Sequence, residues 1–178
     1  MDRKYNYFEG NKDKNFNISK MHEYVKNKQE LDKFFEELVT PFLHDKKLKI
    51  LDACCGIGHI SNLLTEITPN STFLGIDQSD YLIEEAKKLC KDKQNISFQV
   101  GDIYDLSSKF QKEFDISINW KTLSWLPYYD EMMKHLMSCT KKHIFLSSLF
   151  YDGEIDGLKP TNTGRIKFNV SPVTGTSV

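Results

Sequence analysis

The sequence predicts a three-layer α/β fold built on a doubly wound, mostly parallel sheet. From about Lys46 onward, short β-branched or apolar runs alternate with stretches of helical periodicity. Several of these runs are almost continuously apolar, as expected for strands that are covered on both faces. Strands that alternate with helices form βαβ units with right-handed crossovers. A chain of 178 residues is most simply one such domain, and it is long enough to bury a sizeable core.

Five strands and three helices make up the predicted core. The strands are expected at residues 48–53, 71–77, 96–100, 114–118 and 143–149. The helices between them are expected at residues 58–68, 79–93 and 126–139. In the second helix apolar residues recur at helical spacing, and Ser79 stands where an N-cap residue is preferred.

Two segments flank this core, which is expected to span residues 46–150. Residues 1–45 are predicted to form an extension whose helical part ends near Pro41. Aromatic residues in the first 18 positions of this extension indicate either a lid over the core or a frayed terminus. Residues 151–178 form a short tail, native or truncated, with one plausible strand, "RIKFNV", at 165–170. So short a tail would leave the fifth strand at an open sheet edge, and we expect either a homodimer through that edge or poor solubility.

Composition and charge limit the classes of function. The chain is 39% apolar and 28% charged, with a net charge of −1, which argues against a strongly basic nucleic-acid binder. No run of 18 apolar residues suggests a membrane span, and the polar start lacks the apolar core of a secretory signal. The cytoplasm is therefore the expected location.

The four cysteines have no C-x-x-C spacing, so neither a metal site nor a disulfide is expected.

The stretch "LDACCGIGHIS", residues 51–61, is the first candidate binding element. Gly56 and Gly58 allow a sharp turn and the close approach of a ligand to the backbone. The helix that begins near His59 offers unpaired N–H groups and a partial positive charge. A P-loop is excluded because no G-K-S/T follows the turn.

Two further acidic residues follow the next two predicted strands. Asp77 ends the second strand, where it could hydrogen-bond a ribose diol, and Asp102 follows the third. The glycine spacing does not fit the dinucleotide fingerprint G-x-G-x-x-G/A, and Asp52 at the end of the first strand would crowd a pyrophosphate. An acidic residue there suits the ammonium group of an amino acid. The residues therefore favour a nucleoside that carries an amino acid over a dinucleotide.

Three stretches, "LDACCGIGHIS", "GIDQSDYLIEEAKK" and "VGDIYDL", resemble successive motifs of the class I S-adenosylmethionine-dependent methyltransferases. The resemblance runs from Leu48 to about Phe150. It implies a Rossmann-like sheet of strand order 3-2-1-4-5 with a shortened C-terminal end. It also implies S-adenosyl-L-methionine as cofactor and S-adenosyl-L-homocysteine as product.

The resemblance also implies roles for particular residues. The family pattern D-x-G-x-G-x-G falls on Asp52, Cys54, Gly56 and Gly58, with Cys54 in place of the first glycine, and these positions would cradle the methionine end. The remaining implied contacts are with the ribose hydroxyls for Asp77, with the adenine for Gln78, Asp102 and Ile103, and with the methyl-transfer region for Asn119.

Methyl transfer from a sulfonium is an in-line displacement, so alignment of the acceptor atom can supply most of the catalysis. A general base is needed only for an acceptor proton of high pKa. Asn119 and Trp120, after the fourth strand, are weak candidates for the transfer site, with packing as the alternative. His22 and Tyr7 are further weak candidates, and the motif D/N-P-P-Y/F is absent.

A small molecule is the expected acceptor. RNA is the first alternative, because lysines and aromatic residues alternate in the first 30 residues, but acidic residues lie among them. A domain that binds S-adenosylmethionine without catalysing transfer is the second alternative, because the short tail could lack part of an acceptor pocket.

Overall fold

The computed structural model describes residues 14–43, 47–123, 126, 128–147, 153–160 and 166–172. The chain divides into two compact units, residues 1–148 and residues 149–178.

The first unit contains a five-stranded parallel sheet. Its strands are β1 (Lys49–Ala53), β2 (Thr72–Asp77), β3 (Ile96–Val100), β4 (Phe114–Asn119) and β5 (Thr140–Leu146). Their order is β3-β2-β1-β4-β5, and every neighbouring pair is parallel. The predicted Rossmann-like fold and strand order are confirmed.

Helices cover the sheet and connect its strands. They are α1 (Lys14–Lys26), α2 (Glu30–Leu43), α3 (His59–Ile67), α4 (Asp80–Leu89), α5 (Leu106–Lys109) and α6 (Tyr129–Cys139), with a 3₁₀ turn at Ile103–Asp105. Ser79 caps α4 as predicted, because its hydroxyl accepts a hydrogen bond from the amide of Leu82 at 3.4 Å.

Each face of the sheet has its own hydrophobic core. Successive residues of a strand point to opposite faces, so Ile50 joins one core and Leu51 the other. Phe35 and Leu43 of α2 pack into the core of Ile50, whereas Met132 and Leu136 of α6 pack into the core of Leu51. Both faces are thus covered, which explains the nearly continuous apolar runs in the sequence.

The N-terminal extension and the fifth strand differ from their predicted form. The N-terminal extension is two helices, α1 and α2, with residues 27–29 between them. Strand β5 begins at Thr140 rather than at residue 143, because α6 ends at Cys139 and leads into the strand without a loop. The hydroxyl of Thr140 fixes this junction through bonds to the Leu136 carbonyl and the Ser117 hydroxyl, both at 2.6 Å.

The second unit contains an antiparallel pair, β6 (Gly153–Pro160) and β7 (Ile166–Pro172). Strand β7 includes most of the predicted strand at 165–170. Strand β6 was not predicted, because its sequence "GEIDGLKP" contains two glycines and a proline, which are rare in strands. Across the described part of the chain, no helix has the length and apolar character needed to cross a membrane.

Candidate functional site

A cavity of about 340 Å³ lies where the carboxyl ends of β1, β2, β3 and β4 meet, and its size is typical of a small-molecule cleft. Met21 and Tyr24 of α1 also line it, so the N-terminal extension contributes to its wall. Most of the residues singled out from the sequence line this cavity: Asp52, Cys54, Gly56, Asp77, Gln78, Asp102, Ile103 and Trp120.

The turn after β1 has three residues in the left-handed backbone region: Cys54 (φ 61°), Gly56 (φ 55°) and Gly58 (φ 73°). This conformation is easily reached by glycine and is strained for other residues. The family pattern therefore has glycine at the position of Cys54 for a steric reason. The Cys55 amide donates to the Ile76 carbonyl at 3.0 Å, and the Gly58 amide donates to the Cys55 carbonyl at 2.9 Å. These bonds fix the turn between β1 and α3.

Gly58 is not among the residues that line the cavity, and its implied role at the methionine end remains a prediction. A Cβ at this position would lie 2.6 Å from the ring of Phe98 and 3.3 Å from the Cβ of Ala86. Gly58 therefore allows the start of α3 to pack closely against neighbouring elements. Its contribution to the cavity is the shape of the turn.

Asp77 lies at the end of β2 and binds the glycine turn directly. Its carboxylate accepts hydrogen bonds from the amides of Gly56, at 2.9 Å, and Ser79, at 3.0 Å. Burial raises the pKa of Asp77, although these backbone bonds act in the opposite direction. Asp77 is therefore a structural link between β2 and the turn as well as a cavity residue, and a carboxylate with these two bonds retains capacity to accept more.

Asp52 is almost fully buried, with 2% of its surface exposed. Its carboxylate accepts hydrogen bonds from the Ser61 hydroxyl at 2.7 Å and from the Ser61 amide at 3.2 Å. Burial raises the pKa of Asp52 to about 6, and the nearby charge of Asp77 also raises it. A positively charged ligand group in the cavity would favour the ionised form of Asp52.

Asp102 and Ile103 form the part of the cavity wall that follows β3. One carboxylate oxygen of Asp102 accepts a hydrogen bond from the Tyr104 amide at 2.9 Å and so caps the 3₁₀ turn. This cap fixes the position of Ile103, which is buried. A carboxylate and an apolar side chain thus stand together on this wall.

The two cysteines of the turn lie in surroundings that favour the protonated thiol. Burial raises the pKa of both the Cys54 and Cys55 thiols, and the charges of Asp52 and Asp77 raise it further. A thiol must lose its proton to act as a nucleophile or a metal ligand. The surroundings of Cys54 and Cys55 therefore disfavour the thiolate form.

Asn119 does not lie on the cavity wall. It is fully buried, and its side-chain amide donates to the Ala53 carbonyl at 3.0 Å, so it links β4 to the end of β1. Its neighbour Trp120 does line the cavity, and the Trp120 ring packs on Phe35 of α2 with ring centroids 4.1 Å apart. Of these two transfer-site candidates, the structure brings only Trp120 to the cavity.

Of the other two weak candidates, only His22 lies among the described residues. The ring of His22 lies 3.3 Å from a carboxylate oxygen of Glu85, so His22 connects α1 to α4. It is not among the residues that line the cavity. Tyr7 lies outside the described residues.

Sequence reasoning missed a polar cluster in which the buried Asp32 contacts His59 and Lys121. The carboxylate of Asp32 is fully buried and contacts the Lys121 ammonium at 2.7 Å and Nε2 of His59 at 3.1 Å. Burial would raise the pKa of Asp32, but hydrogen bonds from His59 and Lys121 lower it to about 2. His59 and Lys121 both line the cavity. The one signal in the sequence is that Asp32 shares a helix face with Phe35 and Val39.

The chain matches the protein family described as "Methyltransferase domain" over residues 44–159. Among curated proteins, it is 27% identical over 126 residues to malonyl-acyl-carrier-protein O-methyltransferase 1 of Ilyobacter polytropus, covering 70% of this chain and 46% of that protein. It is 31% identical over 88 residues to trans-aconitate 2-methyltransferase of Deinococcus radiodurans, covering 49% of this chain and 32% of that protein. The chain thus spans less than half the length of these relatives.

Solved structures share the fold. The (4+2)-cyclase SpnF has a TM-score of 0.55 at 16% identity, over 62% of this chain and 41% of that one. The YcgJ protein of Bacillus subtilis has a TM-score of 0.53 at 19% identity, over 59% of this chain and 45% of that one. At these identities the likeness concerns the fold alone, and a fold can host different reactions.

Proposed function

The chain belongs to the methyltransferase-domain family, and from this premise we propose that it transfers a methyl group from S-adenosylmethionine to a small molecule. The observation that carries the proposal is the cavity itself. Carboxylates at three strand ends, Asp52, Asp77 and Asp102, line it together with the glycine turn. These are the positions at which the family pattern expects the groups that hold the cofactor.

The residues present fit S-adenosylmethionine, which supplies an electrophilic methyl group on a positively charged sulfur. Asp52 and Gly56 would hold the methionine end, and burial of the Asp52 carboxylate strengthens its attraction to a cationic ligand. Asp77 would accept from the ribose hydroxyls. Asp102 would accept from the adenine amino group, with Ile103 against the ring. We propose that Cys54 and Gln78 also contact the cofactor and that Gly58 acts by shaping the turn.

A small acceptor is supported by the form of the site and by the relatives. The cavity, as the described residues line it, is a cleft of small-molecule size between α1 and the sheet. The relatives carry the names of malonyl-acyl-carrier-protein and trans-aconitate methyltransferases. The alternatives are RNA as the acceptor and a domain that binds the cofactor without catalysis, and a turnover assay distinguishes them from a small-molecule methyltransferase.

The test is a methyl-transfer assay on the full chain. Purified protein is incubated with methyl-labelled S-adenosylmethionine and panels of small carboxylic acids, amines, phenols and RNA, and the release of S-adenosylhomocysteine is followed. We expect acceptor-dependent release with a small molecule and its loss in Asp77→Asn. Release that depends on RNA alone would overturn the small-molecule assignment. Tight cofactor binding without turnover on any acceptor would favour the non-catalytic role.

A homodimer through the sheet edge also stays a proposal. Among the described strands β5 pairs only with β4, which is the arrangement that invites pairing with a second chain. Sedimentation velocity over a hundredfold range of concentration tests it, and a monomer throughout would contradict it. Cytoplasmic location likewise remains a prediction.

A further inference from the structure

The cavity has two chemically different sides, set by the strand order. Strands β2 and β3 lie on one side of β1, and β4 lies on the other. Asp77 and Asp102 follow β2 and β3, whereas Trp120 and Lys121 follow β4. If the nucleoside of the cofactor occupies the side of β2 and β3, as proposed above, the side of β4 is left for the acceptor.

Lys121 is the one lysine or arginine among the described residues that line the cavity. One-third of its side chain is exposed, so a ligand can reach it. Its ammonium donates to the Asp32 carboxylate at 2.7 Å and to the Gln29 side-chain oxygen at 2.9 Å. An ammonium has three N–H donors, so these two bonds leave one donor without a partner among the described residues.

The position of this ammonium is fixed more firmly than that of an ordinary surface lysine. The carboxylate of Asp32 is fully buried, and its second oxygen is engaged by His59 at 3.1 Å. Both acceptors of the Lys121 ammonium come from the N-terminal extension, Asp32 from α2 and Gln29 just before it. The lysine is therefore clamped between β4 and α2 at the cavity wall.

The backbone of Lys121 gives an independent observation. Its φ is 63°, in the left-handed region that a residue with a side chain adopts only at a cost in free energy. Such strain persists where the surroundings hold it, and it clusters at functional positions. Here it presents the lysine side chain to Asp32, Gln29 and the cavity at once.

We infer that Lys121 recognises a carboxylate group of the methyl acceptor, with Asp32 and Gln29 as positioning residues. The inference rests on the proposed function. A single ammonium with one remaining donor matches a single carboxylate, whereas a phosphate dianion would meet one cation in a cavity that also holds three aspartates. The acceptor class assigned is a small carboxylic acid.

The experiment is isothermal titration of the full chain, first with S-adenosylhomocysteine and then, once saturated, with carboxylates. The probes are malonate and trans-aconitate, and the neutral control ligand is malonamide. The variants are Lys121→Met and Lys121→Arg, with Lys49→Met as matched control. Lys49 is an exposed lysine at the opposite end of β1, 3.5 Å from Glu113.

We expect the saturated wild-type protein to bind at least one of the two carboxylates tenfold or more tightly than malonamide. Lys121→Met should weaken that binding at least tenfold and change the Kd of S-adenosylhomocysteine less than threefold. Lys121→Arg should retain most of the affinity, since it keeps the charge, and Lys49→Met should match the wild type. Because Lys121→Met leaves Asp32 with one partner fewer, the double variant Asp32→Asn/Lys121→Met provides a second test if the single variant misfolds.

Three results would overturn the inference. In the first, neither carboxylate binds in preference to malonamide. In the second, Lys121→Met binds the carboxylates as tightly as the wild type does. In the third, Lys121→Met loses S-adenosylhomocysteine itself, which would assign the lysine to the carboxylate of the cofactor. Failure of the wild type to bind S-adenosylhomocysteine at all would refute the proposed function, and the inference with it, and the first titration alone reveals that case.

Discussion

The two glycines of the turn after β1 share a backbone conformation and differ in their surroundings. A Cβ on Gly56 (φ 55°) would meet no described atom within 4 Å, whereas a Cβ on Gly58 (φ 73°) would meet the ring of Phe98 at 2.6 Å. The sequence identified both as members of one motif. It could not reveal that Gly56 faces the cavity and Gly58 the packed interior, because that depends on Phe98, 40 positions further along the chain.

Alanine at these two positions separates backbone strain from steric overlap. Gly56→Ala should lose about 1 kcal/mol of unfolding free energy, because only the left-handed backbone opposes it. Gly58→Ala should lose about 2–4 kcal/mol, because the Phe98 ring must also move. Urea unfolding of both variants measures the difference, and equal losses would contradict the packing described for Gly58.

Asp52 illustrates a conflict between binding and stability at one residue. Its pKa of about 6 in the folded protein lies above the ordinary value of 3.8, because burial disfavours the charge. The stabilising contribution of its protonated form is therefore complete below about pH 4 and is lost as the pH rises through about 6.

Asp52→Asn should therefore raise the stability of the ligand-free protein at pH 7.5 by about 1–3 kcal/mol. The gain should shrink toward zero at pH 4, where Asp52 of the wild type is protonated. The same variant should bind S-adenosylhomocysteine more weakly, since the carboxylate that faces the ligand's ammonium group is gone. Thermal melts at the two pH values measure this, and a variant less stable than the wild type at pH 7.5 would refute the account.

At the scale of elements, α2 is held to the sheet by both apolar and charged contacts. Phe35, Val39 and Leu43 are buried on one face, and Asp32 on the same face binds His59 and Lys121. The sequence predicted a helix here from its periodicity. It could not predict the polar contacts of Asp32, because its partners lie 27 and 89 positions away and no spacing rule connects them.

Asp32→Asn should lower the unfolding free energy at pH 7 by about 2–4 kcal/mol, because it removes a buried carboxylate that is paired with the Lys121 ammonium and hydrogen-bonded to His59. The pKa of Asp32 is lowered to about 2 in the folded protein. Its stabilising contribution is therefore present above the ordinary value of 3.8 and is lost as the pH falls through about 2. Denaturant unfolding at pH 7 and pH 3 should show the difference between wild type and variant shrinking at the lower pH.

The neighbouring lysine provides the control for that experiment. Lys33 is exposed and pairs with Glu30 one turn away at 2.6 Å. Lys33→Met should change the stability by less than about 0.5 kcal/mol. If Asp32→Asn proves as mild as Lys33→Met, the contacts of Asp32 with His59 and Lys121 do not anchor α2.

At the scale of the whole molecule, the sequence predicted what depends on local order along the chain. Alternating strands and helices indicate a parallel sheet, and acidic residues at consecutive strand ends lie along one edge of such a sheet. The sequence was therefore enough to predict that Asp52, Asp77 and Asp102 lie close together. Asn119 and Gly58 were assigned to the cavity because they stand in the right segments. Neither is among the residues that line the cavity, because Asn119 bonds the Ala53 carbonyl and Gly58 packs close to Phe98, and their contacts with the cofactor remain predictions.

The central claim is that the cavity holds S-adenosylmethionine, and a thermal melt of the full chain with S-adenosylhomocysteine or with NAD tests it most directly. A ligand at about 100 times its Kd adds roughly 2.7 kcal/mol of stability, which for a chain of this size raises the Tm by about 5–10 °C. We predict that shift with S-adenosylhomocysteine alone, its loss in Asp77→Asn, and its retention in Asp92→Asn, which alters an exposed loop residue. No shift with S-adenosylhomocysteine, or a shift with NAD alone, would contradict the account.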